Sequence, residues 1–207
     1  MKKIKRVLYI ILISLFSLTI YSCSSSSDGG SSTTSTTSTD NTTTSIGLFV
    51  TVGYSGTILT SSDNGTTWTP RTSGTSNRLI GVTYGNGTFV TVGDSGTIFT
   101  SSDGTSWTSR TSGTSYNLQK VTYGNGLFVT VGLGGSIFTS SDGTTWTERT
   151  SGTSNRLMGV TYENGLFVTV GHVGTILTSS DGTTWTERTS GTSNRLYGVT
   201  YGNGTFV

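Results

Sequence analysis

Short hydrophobic runs separated by turn residues recur along most of the chain. In one complete repeat, runs rich in Val, Thr, Ile, Phe, Tyr and Trp cover residues 118–123, 127–131, 136–140 and 145–149, which we name strands A, B, C and D. Runs of this composition, bounded by Gly, Asn and Asp, predict β-strands. No helical periodicity follows the N-terminal segment, so the pattern excludes helical repeats of similar length.

The repeat has a fixed length of 39 residues, as the spacing of four tryptophans shows: Trp68, Trp107, Trp146 and Trp185. An Asn-Gly pair such as Asn125-Gly126 separates A from B, and an Asn-Gly or Asp-Gly pair separates C from D. These pairs favour the positive φ angles of tight hairpins. Four antiparallel strands in a repeat of this length are typical of a propeller blade, so we predict an all-β propeller of four-stranded blades.

The two ends of the array leave two arrangements open. The first repeat begins at strand B, residues 48–52, whereas the chain finishes with an extra strand A, residues 196–201, and the start of another strand B. The terminal strand A could complete the first blade and close a four-bladed ring without exposed edges. Alternatively, the repeats are a fragment of a larger propeller.

The N-terminal segment has the features of an export signal. A basic head precedes an apolar run of 14 residues, 7–20, which is too short to span a bilayer comfortably. The residues Ile20-Tyr21-Ser22-Cys23 resemble a bacterial lipobox, and this resemblance implies that a lipid is attached to Cys23. We therefore expect an exported lipoprotein, anchored in the bacterial cell envelope at the outer membrane or cell surface, with the leaflet left open.

Three regions result from these patterns. Residues 1–22 are the predicted lipoprotein signal peptide, 23–46 are the lipidated cysteine with a Ser/Thr-rich tether, and 47–207 are the propeller repeats. The tether consists almost entirely of Ser, Thr, Gly, Asp and Asn, which cannot build a core, so we predict that it is disordered.

The charge of the mature chain argues against one class of partner. The signal carries four of the twelve Lys and Arg residues, which leaves eight against ten Asp and Glu and a net charge of −2. Proteins that bind the phosphate backbone of nucleic acids need a positively charged surface, so nucleic acid is not an expected partner.

A second motif lies at each C–D turn. Residues 61–68 read Ser-Ser-Asp-Asn-Gly-Thr-Thr-Trp and resemble the Asp-box, or BNR, motif, and the other three repeats are one residue shorter between Asp and Trp. The whole repeat also resembles the blades of photosystem II assembly factors of the Ycf48/Hcf136 type. Asp and Ser can bond to the turn backbone, Gly allows the reversed φ and Trp packs over the hairpin. We therefore assign a structural role to Asp63, Trp68, Asp103, Trp107, Asp142, Trp146, Asp181 and Trp185.

Catalytic chemistry lacks its usual signals. A sialidase-like glycosidase would need arginines, a tyrosine and glutamate pair and an acid at non-equivalent positions around the ring, but the arginines recur at equivalent ones: Arg71, Arg110, Arg149 and Arg188. No carboxylate pair stands out as acid and base. The sole histidine, His172, has no partner for a metal centre or a Ser-His-Asp arrangement. We expect no catalytic residue, no metal and no cofactor.

The few positions at which the repeats differ gather in two loops. These are the turn between B and C and the connector from D to the next A, which lie on the same face of an antiparallel blade. Loops on a rigid scaffold often carry binding residues. The predicted ligand face comprises Tyr54, Arg78, Asp94, Tyr116, Asn117, Arg156, His172, Arg195 and Tyr197.

The function expected from the sequence is a non-catalytic binding or adhesion module for a glycan or a protein ligand. Exposed Tyr and Arg would supply stacking and hydrogen bonds to a glycan. Two alternatives remain, a sialidase-like glycosidase and an assembly-factor-like protein scaffold, the latter implied by the blade resemblance. The ligand itself and the oligomeric state stay open.

Overall fold

A computed structural model describes residues 47–207 of the chain. The predicted signal peptide 1–22, the lipidation site Cys23 and the tether up to residue 46 lie outside the described residues. The described residues all belong to one compact unit. None of their helices is long and apolar enough to cross a membrane.

Strands A to D of the sequence pattern form successive antiparallel sheets, each in the order of the chain. The first sheet has three strands: β1 (Phe49–Val52), β2 (Ile58–Ser61) and β3 (Thr69–Arg71). The second has four: β4 (Leu79–Gly85), β5 (Thr88–Gly93), β6 (Ile98–Ser101) and β7 (Thr108–Arg110). The all-β prediction with four-stranded antiparallel sheets is confirmed.

The third and fourth sheets repeat this arrangement. The third consists of β8 (Leu118–Gly124), β9 (Leu127–Gly132), β10 (Ile137–Ser140) and β11 (Thr147–Arg149). The fourth consists of β12 (Leu157–Glu163), β13 (Leu166–Gly171), β14 (Ile176–Ser179) and β15 (Thr186–Arg188). A final hairpin pairs β16 (Tyr201–Gly202) with β17 (Thr205–Phe206). The predicted strand bounds are right within two residues in the complete repeats.

The turns adopt the backbone that their residues favour. Between β8 and β9, Asn125 has φ 48° and Gly126 has φ 75°, and both angles are positive as in a type I′ hairpin. Each B–C turn contains a short 3₁₀ turn with its middle residue in the left-handed region. That residue is Ser55, Ser95 or Gly134 in three turns but the β-branched Val173, φ 57°, in the fourth.

Every complete strand A begins with a β-bulge. In the third sheet, Leu118 pairs with Gly132 and Lys120 pairs with Val131, so Gln119 is the extra residue between them. The same shift follows Leu79 in β4 and Leu157 in β12. A bulge bends its strand and re-aims the inserted side chain, which places the bulge residue at the loop end of strand A.

The hydrophobic core lies between neighbouring sheets. Val90 and Ile98 of the second sheet pack with Leu118 and Phe128 of the third, and all four are 0% exposed. A second cluster joins the third and fourth sheets in the same way. Each repeat therefore buries its apolar face on the next one, as in other repeat proteins.

The C-terminal strand does not complete the first sheet in the structure. Within residues 47–207, β1 pairs only with β2, and β16 pairs only with β17. The predicted strand A at 196–201 is a strand only from Tyr201 onward. The segment instead follows the fourth sheet, because the Leu196 amide donates to the Gly171 carbonyl at 2.9 Å.

Candidate binding face

The B–C turns and D–A connectors are joined by backbone hydrogen bonds. The Asp94 amide donates to the Arg78 carbonyl at 2.9 Å, and the His172 amide donates to the Arg156 carbonyl at 2.8 Å. The Leu133 amide makes the equivalent bond to Asn117 at 3.0 Å. We name this surface, formed by the B–C turns, the D–A connectors and the first residues of each strand A, the connector face.

At one end of the connector face, three predicted residues contact one another. The Arg78 guanidinium lies over the Tyr54 ring, 5.3 Å from its centroid, and Nη1 donates to the Tyr54 hydroxyl at 3.4 Å. Nη2 donates to Asp94 Oδ1 at 3.2 Å and forms a salt bridge there. The bonds to Tyr54 and then Asp94 raise the pKa of Arg78 above its ordinary value. The predicted residues Tyr54, Arg78 and Asp94 thus hold one another.

The middle of the face is built by the third repeat and the connector after it. Asn117 Oδ1 accepts from the Ser95 amide at 2.9 Å. Arg156 Nη2 donates to Oε1 of Gln119, the bulge residue of β8, at 2.8 Å. Gln119 is only 6% exposed, and neither its Nε2 nor the buried Nε of Arg156 has an acceptor among the described residues.

A template bond is also missing in the third repeat. In the neighbouring repeats, Asn77 Nδ2 donates to Thr97 Oγ1 at 2.8 Å and Asn155 Nδ2 donates to Thr175 Oγ1 at 2.9 Å. Tyr116 replaces the asparagine in the third repeat, and the buried hydroxyl of Ser136, which replaces the threonine, has no partner within residues 47–207. Sequence reasoning missed Gln119 and Ser136 as site residues, although each departs from its counterparts in the other repeats.

The far end of the face combines a histidine, an arginine and a tyrosine. The His172 and Tyr197 rings meet edge to face, with centroids 6.4 Å apart. Partial burial, Arg195 and Arg156 lower the pKa of His172, which favours its neutral form. Tyr197 is 63% exposed and Val173 is 60% exposed beside it.

Charge is divided between the two faces of the array. The connector end carries eight basic residues, namely Arg78, Lys120, Arg156, Arg195 and the last residue of each strand D, against three acids, Asp94, Glu148 and Glu187. The C–D turns carry the four Asp-box aspartates, and Glu163 ends β12 at that same side. Although residues 47–207 contain eight basic and eight acidic residues, the connector face is therefore positive and the opposite face is negative.

Each Asp-box carboxylate is occupied by its own turn. Asp142 Oδ1 accepts from Ser140 Oγ at 2.9 Å and from the amides of Thr144 and Thr145 at 2.7 and 3.0 Å. The Trp146 indole donates to the Gly143 carbonyl at 3.0 Å. The corresponding bonds recur at Asp63, Asp103 and Asp181 and lower the pKa of all four aspartates.

The largest concavities repeat with the template. An open groove of about 840 Å³ lies between the first two sheets, lined by Ser, Thr and Gly residues together with Trp107 and Arg110. Grooves of about 520 to 570 Å³ occupy the equivalent places elsewhere. No three His, Cys, Asp or Glu residues in the described part of the chain could hold a metal ion.

Comparison with solved structures supports the propeller fold. The chain matches "YCF48 bound to D1 peptide" with a TM-score of 0.60 and 21% identity, over 74% of this chain and 53% of that one. It matches "YCF48 from Cyanidioschyzon merolae" with a TM-score of 0.57 and 20% identity, over 73% and 55% of the two chains. The chain therefore spans about half the length of these structures, and the likeness concerns the fold.

The sequence comparison places the chain in a family. No curated protein matches the sequence. The family model of the DUF6242 beta propeller domain matches residues 82–189, which is just over half of the chain and includes the third and fourth sheets and all of the second except residues 79–81. The β-propeller prediction is thereby confirmed, and the chain belongs to the DUF6242 beta propeller domain family.

Proposed function

We propose that this protein is a non-catalytic binding module that recognises a protein or peptide ligand through its connector face. The observation that carries the proposal is the division of the repeats into constant and variable parts. The strands, the Asp-box turns and the A–B turns are nearly invariant, whereas the main differences between repeats fall on the connector face, at the first residue of the B–C turn and, in the third repeat, at Tyr116-Asn117 of the connector.

The surface of this face suits recognition of a protein. Tyr54, Tyr116 and Tyr197 are 73%, 55% and 63% exposed. The connector arginines lie between these tyrosines along the chain. Tyrosine and arginine are enriched among residues that dominate protein interfaces. One propeller of similar fold is described as bound to a D1 peptide, which supports the same kind of ligand for this chain.

The proposal includes the cellular location expected from the sequence. Lipid attachment at Cys23 would tether the propeller to the cell envelope through residues 24–46, leaving the connector face free to meet a partner. Palmitate labelling of cells that express the full chain tests this step. Labelling that is lost in Cys23→Ala supports the anchor, and an unlabelled wild-type protein refutes it.

A pull-down from the native envelope with the full chain tests the binding function. Combined replacement of Tyr116, Arg156 and Tyr197 by alanine should abolish capture of any protein that the wild type retains. A control with Tyr84→Ala removes an exposed tyrosine near the A–B turn of the second sheet, away from the connector face, and should retain that protein. Equal capture by all three proteins would refute the proposed function.

The alternatives give different readouts in the same set of assays. A glycan array reports a carbohydrate ligand, for which exposed tyrosines would supply stacking surfaces. A panel of fluorogenic glycosides reports a glycosidase, and turnover of any glycoside by the purified chain would contradict the non-catalytic assignment.

A further inference from the structure

We propose that Arg156 and Gln119 form a subsite for a carboxylate group of an acidic peptide. This inference rests on the proposed function, because it specifies which part of a protein ligand the connector face recognises. It arises from a comparison of two arginines that occupy the same position in different repeats.

Arg78 and Arg156 are equivalent residues, each the last of its D–A connector before strand A. The backbone carbonyl of each arginine accepts a hydrogen bond from an amide of the following B–C turn. The B–C turn residue at that bond is Asp94 for Arg78 but His172 for Arg156. The first arginine therefore has an internal carboxylate within 3.2 Å, and the second does not.

The pair of Arg78 and Asp94 shows how a connector arginine meets a carboxylate in this fold. Asp94 Oδ1 lies 3.2 Å from Nη2, while the Tyr54 ring supports the guanidinium from the other repeat. At Arg156 the residue opposite is His172, and an imidazole supplies no negative charge. An external carboxylate would complete the arrangement that Asp94 completes at Arg78.

The polar atoms around Arg156 are held in place but incompletely bonded. Arg156 Nη2 binds Gln119 Oε1 at 2.8 Å, which fixes the guanidinium on the bulge of β8. Arg156 Nε is a buried donor without an acceptor among residues 47–207, as is Arg78 Nε, but only at Arg156 does a second such donor, Gln119 Nε2, accompany it. A buried donor without an acceptor destabilises the folded protein. A small side-chain rotation that lets a ligand oxygen accept from these donors is therefore favoured.

The charge around this subsite also selects an anion. Lys120 is exposed near the start of β8, and Arg195 is exposed in the next connector. Asp94 is bound to Arg78 at the opposite end. The connector end carries all eight basic residues of 47–207 against three acids, Asp94, Glu148 and Glu187, so it attracts a negatively charged group and repels a basic one.

Titration of the full chain with two short peptides tests the inference. One peptide repeats glycine, serine and glutamate, and the other has glutamine in place of every glutamate. At low ionic strength the glutamate peptide should bind at least about tenfold more tightly, since only it offers charge-assisted hydrogen bonds. Equal binding of both peptides, or no binding of the glutamate peptide, would overturn the carboxylate subsite.

Two matched variants locate the effect. Arg156→Gln should weaken the glutamate peptide about tenfold, whereas Arg78→Gln should change its affinity less than about twofold because Asp94 already neutralises Arg78. His172→Asp places a carboxylate opposite Arg156, as Asp94 stands opposite Arg78, and should also weaken the glutamate peptide about tenfold. Thermal melts of each variant verify that it is folded.

The outcomes separate the two proposals. Equal losses in Arg156→Gln and Arg78→Gln, or undiminished binding by His172→Asp, would overturn the subsite. If the subsite fails but the variant with Tyr116, Arg156 and Tyr197 replaced by alanine no longer captures the protein that the wild type retains, the proposed binding function stands without a carboxylate site. If the triple variant captures that protein normally, the binding function itself fails.

Discussion

Replacing Phe128 by alanine tests the conclusion that the array is held together between neighbouring sheets. Phe128 is 0% exposed in β9, and its ring centroid lies 4.7 Å from that of Tyr123. Its side chain belongs to the cluster that joins the second and third sheets. Removing the ring loses its transfer free energy and leaves a cavity, so the free energy of unfolding should fall by about 3 to 5 kcal/mol.

The chain offers a matched control at Phe49. This residue pairs with Ser61 in β1 as Phe128 pairs with Ser140 in β9, so the two phenylalanines occupy the same place in the repeat. Phe49 is 49% exposed, and it can lose only about half of the transfer free energy of a phenylalanine. Phe49→Ala should therefore cost about 1 kcal/mol, without a cavity contribution.

Urea unfolding followed by tryptophan fluorescence measures both values, and the change in midpoint at constant slope gives the loss in stability. Both variants replace the same phenylalanine of the repeat by alanine. The difference between their losses in unfolding free energy therefore reports the difference in burial. Equal losses in Phe128→Ala and Phe49→Ala would refute the conclusion that contacts between sheets stabilise the array.

Three further predictions concern single positions. Ser140→Ala removes the buried hydroxyl that accepts from the turn amide at 2.8 Å and should destabilise the protein by about 2 kcal/mol in urea unfolding, whereas the exposed neighbour Ser141→Ala should be neutral. Val173→Gly relieves a left-handed backbone at φ 57° and should raise the stability by up to about 1 kcal/mol, and a lower melting temperature would contradict this. The pKa of His172 is lowered, so its contribution to stability is complete above its ordinary pKa and is lost as the pH falls through the lowered value. NMR titration of this single histidine should show a higher pKa in Arg195→Gln, and an unchanged pKa would refute the assigned cause.

The repeat itself could be predicted because its signals are local. Asn125-Gly126 allows two successive positive φ angles, and such a turn fixes the pairing of the strands on either side of it. The Asp-box turn is equally local, since Asp142 bonds only to residues within three positions of itself. Sequence alone therefore located all the strands of the complete repeats.

The C-terminal segment shows where local signals end. Residues 196–201 read like the strand A of the fourth sheet, but a strand also needs partners for its backbone groups. Across the final hairpin, Thr200 exchanges hydrogen bonds with Val207, and Tyr201 pairs with Phe206. Residues 196–199 find no ladder partner within the described part of the chain, so the same pattern yields a shorter strand.

The site residues were predicted in part, for a related reason. Comparison of the repeats selected Asn117 because it departs from the arginine of the other connectors, and it selected Arg156 because that residue lies in the same connector position. It did not reveal that Arg156 bonds to Gln119, 37 positions away, since the register shift of β8 decides where the glutamine points. Contacts between repeats depend on such details of register, which no single repeat contains.

The distribution of unpaired polar atoms argues against neutral drift as the origin of the connector face. Neutral drift in tolerant loops would produce substitutions at exposed positions, with little cost in stability. In the described residues, the buried side-chain polar atoms without a hydrogen bond belong to Arg78, Gln119, Ser136 and Arg156, and all four residues lie on the connector face. On the opposite face, formed by the Asp-box turns and the A–B turns, the described residues have no buried side-chain polar atom without a hydrogen bond. Buried unpaired groups are costly and concentrate at functional sites, so their restriction to one face favours binding there over relaxed selection.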